Sequence, residues 1–123
     1  MYARLLFVGN AVSPSGATFR RDKALEIGGF RENPEFNTVE DYDFWMRLSR
    51  LGPFRFIDKT LASYTMIPGS ASSKIESHYS NQEALLRDHF AALFGGNPGL
   101  LDRLRIRRRF SYVYRAAAGA LLE

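Results

Sequence analysis

The chain reads as an α/β fold: a short mixed β-sheet with flanking helices, followed by C-terminal helices. Three observations predict it. Residues 4–8 form a compact apolar run, and residues 54–58 and 61–66 form two more around the turn Asp58-Lys59-Thr60. Phe44, Leu48 and Leu51 recur at helical spacing, as do Leu85, Leu86, His89, Phe90 and Leu93. Glycine and proline then punctuate the chain between these segments.

The elements follow in order. Residues 4–8 are the first strand, and Gly9-Asn10 with Ser13-Pro14-Ser15-Gly16 make a turn-rich connection to a second short strand at 17–19. Arg20 to Ile27 forms a short helix that ends at Gly28 or Gly29, since glycine accepts the left-handed backbone of a helix C-terminus. After a polar loop, Thr38 is placed to cap a helix whose third position is Asp41, and Gly52-Pro53 ends that helix. A Ser/Gly loop spans 68–73, a helix spans 74–94, and Gly95-Gly96-Asn97-Pro98-Gly99 breaks the chain before a final helix from about 100 to 122. The expected division is 1–73 as one unit and 74–123 as a helical extension with a basic tail.

Bulk properties narrow the function. The 123 residues are 46% hydrophobic and 24% charged, which suits one modest core. There is no cysteine, hence no disulfide framework and no thiolate metal site, which fits a reducing compartment. The N-terminal apolar run is too short for a signal-peptide core or a membrane span, and the chain opens as if in mid-domain. The net charge of +4 comes from the tail, where Arg103, Arg105, Arg107, Arg108, Arg109 and Arg115 face a single acid, Asp102.

Two readings of that tail stand side by side. It is a helix lying on an anionic membrane surface, with Leu101, Leu104, Phe110 and Val113 on one face and arginines at the headgroups. Alternatively, it is a solvated basic helix packed on its own domain. Nucleic-acid binding is not expected, because no aromatic–basic surface or recognition motif accompanies the arginines. His78 and His89 lack carboxylates at ligand spacing, so His78 is expected in solvent and His89 in the core rather than on a metal.

The chemistry-bearing stretch is Gly28-Gly29-Phe30, then Glu40-Asp41-Tyr42-Asp43-Phe44-Trp45-Met46-Arg47-Leu48. On a helix, Asp43 and Arg47 are one turn apart and can pair, which leaves Asp41 beside Trp45. The helix N-terminus favours an ionised Asp41, while Glu40 next to it opposes a second charge. An ionised, oriented carboxylate is what a general base requires. The plain alternative is that these acids merely occupy a helix's first turn. Asp41-Tyr42-Asp43 also spells D-x-D, but helical residues two apart point about 200° from each other and cannot share one ion.

On these motifs, residues 5–73 resemble the C-terminal half of a family 2 glycosyltransferase of the GT-A fold. The resemblance is carried by Gly9-Asn10, Ser13 to Ser15, Phe19-Arg20-Arg21, Gly28-Gly29-Phe30-Arg31-Glu32, the run from Glu40 to Leu48, and Leu61-Ala62-Ser63-Tyr64. It implies a partial GT-A-like fold and an inverting transfer from a nucleotide-sugar donor to a hydroxyl acceptor, building a cell-surface glycan. Asp41 would be the base; Glu40, Trp45, Gly28 and Gly29 would form the acceptor side, and Asp43 and Arg47 would support them. Trp45 would either offer its face to a sugar ring or pack against the sheet. Ser70 and Ser72 would stand on the diphosphate side, whereas Thr65 and Ile67 occupy positions where the family often has Arg and His.

A divalent cation, Mg or Mn, is implied for the complete enzyme, with none bound by this chain alone. The family's N-terminal nucleotide-binding half is missing from these residues, so the chain is expected to be inactive by itself. It is placed in the cytoplasm, peripheral at the inner face of the cell membrane where the tail binds lipid. A sheet edge left open by the missing half implies self-association. The competing reading is a non-catalytic interaction or membrane-associating module derived from such an enzyme.

Overall fold

The computed structural model describes residues 1–63, 65 and 75–122, and among them all regular secondary structure is helical, with no strand and no sheet. Five α-helices follow in order: α1 (Tyr2–Phe7), α2 (Arg21–Glu26), α3 (Glu40–Leu48), α4 (Ile75–Phe94) and α5 (Leu100–Ala120). Short 3-10 turns at Pro14–Gly16 and Pro34–Phe36 lie in the connections.

The α/β expectation is therefore corrected, and each expected strand has its own reason. Residues 4–8 lie mostly in α1, where Leu5 and Leu6 are both wholly buried. Adjacent side chains of a strand point to opposite faces, so burying both requires cover on each side. A short apolar run does not by itself distinguish a strand from a buried helix turn, and leucine is among the better helix formers. Residues 17–19 form no ladder; Phe19 instead lies edge-on to Phe44 and Trp45, with ring centroids 5.0 and 5.6 Å away.

The run from Phe54 also makes no ladder among the described residues, and Phe56, Ile57 and Leu61 are exposed. A strand is stable only when a neighbour takes its backbone hydrogen bonds. Among the described residues no such neighbour is present, and with no sheet there the expected open sheet edge is not found. Tyr64, Ser70 and Ser72 lie outside the described residues, as does Ile67, while Thr65 is exposed.

The helices expected at 20–27, 74–94 and 100–122 are found close to those limits. The helix around Asp41 starts differently from the capping expectation. Val39 occupies the N-cap position, and Thr38 is in left-handed backbone at φ 72° with its hydroxyl 3.2 Å from His78 Nδ1.

The core gathers around α3, which buries Tyr42, Asp43, Phe44, Trp45, Met46 and Leu48. Such a short helix is stable through its packing rather than through its own hydrogen bonds. Leu5 and Leu6 cover it from α1, Leu85, Leu86 and Phe90 from α4, and Val113 from α5. The break at 95–99 folds α5 back along α4, so that Phe90 and Phe110 meet at 5.8 Å between centroids. No helix among the described residues is long and apolar enough to cross a membrane.

Candidate functional site

The two aspartates of the motif occupy opposite environments. Asp43 is wholly buried, and its carboxylate accepts hydrogen bonds from Arg31 Nε at 3.0 Å, Arg47 Nε at 2.7 Å and His89 Nε2 at 2.9 Å. A further, short bond comes from Arg31 Nη2. Burial alone would push this carboxyl up, but His89, Arg31 and Arg47 together hold it well below the usual carboxylate range. Since an ionised carboxylate only accepts, the His89 Nε2 must carry the proton, and Nδ1 lies 3.2 Å from the Tyr2 hydroxyl.

Arg31 also pairs with Asp88 at 2.9 Å, and Arg47 donates to the carbonyls of Ile27 and Gly29 at 2.7 Å each. Asp43 thus joins α3, α4 and the turn after α2 through one charged knot. The Asp43–Arg47 pair read from helical spacing is present. Gly28 and Gly29, at φ 77° and 70°, form that turn, where the left-handed backbone suits residues without a Cβ. The Gly29 carbonyl accepts from Arg47, and neither glycine lines the cleft described next.

Asp41 is half-buried on the wall of a cleft of about 460 Å³ between the α1–α2 connection, the N-terminal end of α3, and helices α4 and α5. The lining includes Asn10, Thr38, His78, Tyr79, Gln82 and Arg109. Burial raises the Asp41 carboxyl above its ordinary value, and the neighbouring Glu40 adds to the rise. The Tyr42 N–H, donating at 2.8 Å, and the Asn10 side chain pull the other way. Raised proton affinity in a water-accessible cleft makes this carboxylate a stronger base than a surface aspartate. The strained Thr38 backbone lies on the same wall, the kind of cost that folds retain at working sites.

The other expected site residues separate. Glu40 is exposed at the start of α3 and is not among the residues lining the cleft. Trp45 is 2% exposed, packed edge-on against Phe19, Phe44 and Phe54, and its buried Nε1–H has no acceptor among the described residues. Of its two sequence readings, the structure shows packing, against aromatic rings rather than a sheet. His89 is in the core, as expected, while His78 is half-buried at the cleft instead of free in solvent.

The tail arginines divide as well. Arg103, Arg105, Arg107 and Arg108 are exposed, but Arg109 is 3% exposed and lines the cleft. The inward face of α5 carries Ile106, Arg109, Phe110 and Val113, whereas Leu101 and Leu104 point to solvent. The spacing from Ile106 through Arg109 to Val113 is the signal that could have placed Arg109 inward. Nothing in the sequence marked Arg31 as the partner of Asp43, because the loop from Arg31 to Thr38 has no periodicity to read.

A divalent cation does not fit this cleft. Asp41 is the carboxylate among its lining residues and shares the wall with Arg4 and Arg109, while Asp43 is fully engaged by cations. Among the described residues no group of three His, Asp or Glu side chains is gathered to hold a metal. Compared with family models, curated proteins and solved structures, the chain matches none of them.

Proposed function

We propose that this chain is the acceptor-side, general-base module of an inverting nucleotide-sugar glycosyltransferase, with donor binding supplied by a nucleotide-binding half. The observation that carries the reading is the split between two aspartates two residues apart. Asp43 is paired with cations inside the fold, and Asp41, which no cation among the described residues pairs, lies at a cleft with its proton affinity raised. Pairs of carboxyls whose environments push them apart are how one site assigns a structural and a reactive role. The motif resemblance supplies the reaction class.

In this reading an acceptor hydroxyl enters the cleft and gives its proton to Asp41. The hydroxyl oxygen bonds to the anomeric carbon of the donor sugar, and the nucleoside diphosphate departs with the electron pair of the broken bond. Asn10, Gln82, His78 and Tyr79 supply the polar and aromatic contacts that a sugar requires.

The test is transfer by a polypeptide joining this chain to its nucleotide-binding half. Asp41→Asn should lower turnover roughly 10²- to 10⁴-fold, the range of a lost general base, with nucleotide-sugar affinity unchanged. Retained turnover would remove Asp41 from the mechanism.

A second reading has its own support. Leu100, Leu101 and Leu104 are 76%, 71% and 54% exposed on the same helix as the exposed Arg103, Arg105, Arg107 and Arg108. Apolar side chains interleaved with arginines suit an anionic lipid surface. Co-sedimentation with phosphatidylglycerol vesicles should be lost when these four arginines are replaced by glutamine. Unchanged sedimentation would discard the membrane role.

A further inference from the structure

Arg109 is a buried cation on the lining of the Asp41 cleft. Among the described residues no ion pair includes it. Its Nη2–H donates to the Tyr42 hydroxyl at 3.2 Å, its guanidinium carbon is 5.7 Å from the Tyr112 ring centroid, and its buried Nε–H finds no acceptor among the described residues. Every other arginine from 103 to 108 keeps its charge in water. Helical spacing carries Arg109 inward with Ile106 and Val113, so a full charge is held where an apolar residue would pack.

Buried guanidiniums are ordinarily paired, because an uncompensated interior charge is costly. Among the described residues no acid pairs this one. The cleft wall is cationic on balance, with Arg4 and Arg109 against Asp41, and its remaining polar groups include Asn10, His78 and Gln82. An orphaned Nε–H on a planar fork suits a two-oxygen anion, which guanidinium binds bidentately and lysine does not.

We propose that the acceptor taken by this cleft carries an anionic group, a carboxylate or a phosphate, seated on Arg109 while Asp41 receives the hydroxyl proton. The identification of the ligand as a sugar rests on the acceptor reading of Asp41; the anion subsite stands on Arg109 itself. Arg109 is then a specificity residue contributed by the C-terminal helix, outside the segment that carries the motif resemblance.

The experiment is a titration of the ¹⁵N-labelled chain, following the Arg109 Nε–H and the amides of Asn10, Asp41, His78 and Gln82. The probes are methyl β-glucoside, methyl β-glucuronide, glucose 6-phosphate and inorganic phosphate. At least one anionic sugar should bind on the order of tenfold more tightly than the glucoside, the factor that one charge-assisted hydrogen bond carries. Which of the two binds more tightly distinguishes carboxylate from phosphate. Arg109→Gln should abolish the preference. Arg109→Lys, which keeps the charge and loses the fork, should weaken it severalfold and serves as the variant should Arg109→Gln fail to fold.

Equal affinity for glucoside and both anions overturns the anion subsite and leaves the acceptor reading standing. A preference that persists unchanged in the Arg109 variant, or shifts confined to the exposed arginines, also overturns it. Inorganic phosphate bound at Arg109 with no sugar bound supports the subsite and overturns the acceptor reading.

Discussion

Replacing Asp43 and Asp41 separately by asparagine should give opposite results, and the contrast tests the division of roles between them. The Asp43 carboxylate accepts four N–H bonds from Arg31, Arg47 and His89 at a wholly buried position. Asparagine offers one acceptor oxygen and turns an N–H₂ group toward cations. At least two of the four bonds are lost, and Arg47, whose side chain is only 16% exposed, keeps an uncompensated charge. Removing one partner of a buried ionic cluster costs about 3–5 kcal/mol.

Against a total stability of roughly 6–18 kcal/mol for a chain of this length, that loss is severe. It corresponds to a fall in Tm of roughly 10–20 °C. Asp41→Asn removes a carboxyl whose ionised form burial disfavours, so stability at neutral pH should be unchanged or slightly higher. Urea unfolding followed by circular dichroism measures both. A loss below about 1 kcal/mol for Asp43→Asn, or one of equal size for Asp41→Asn, would refute the reasoning.

The remaining predictions concern pH and backbone. Asp43 has a folded-state proton affinity below its ordinary 3.8, so its contribution is complete above that value and is lost as pH falls below it. Acid unfolding should therefore steepen below about pH 4, and the steep limb should vanish in Asp43→Asn. Asp41 should titrate above 3.8 by carboxyl-carbon NMR, with Glu40→Gln moving its midpoint down; an unmoved midpoint contradicts the role given to Glu40. Gly28→Ala and Gly29→Ala meet no steric contact, so each should cost only the left-handed backbone penalty, about 1–2 kcal/mol by urea unfolding. At Thr38, which already bears that penalty, Thr38→Asn should raise stability in the same assay, since asparagine tolerates the left-handed region.

Relations within one helix or turn were legible in the sequence. The Asp43–Arg47 pair, the left-handed glycines after α2, the limits of α4 and α5, and the burial of His89 all follow from helical spacing and local backbone preference. These forces act across three or four residues, so neighbours in sequence carry the information. The expected sheet failed where the same local rules are ambiguous. A run such as Arg4 to Val8 is consistent with a strand or a buried helix turn, and only its partners decide which one forms.

The site was decided by tertiary structure. His89 reaches Asp43 across 46 residues and Arg31 reaches Asp88 across 57, and no spacing rule spans such separations. The same holds for the cleft, where residues from the α1–α2 connection, α4 and α5 meet Asp41. Sequence alone determined that Asp41 and Asp43 sit two residues apart at the start of a helix. Packing determined that one meets three cationic or proton-donating partners in the interior and the other lines a cleft that a buried arginine also lines, because burial and charge pairing are set by what the rest of the chain brings to each side of that helix.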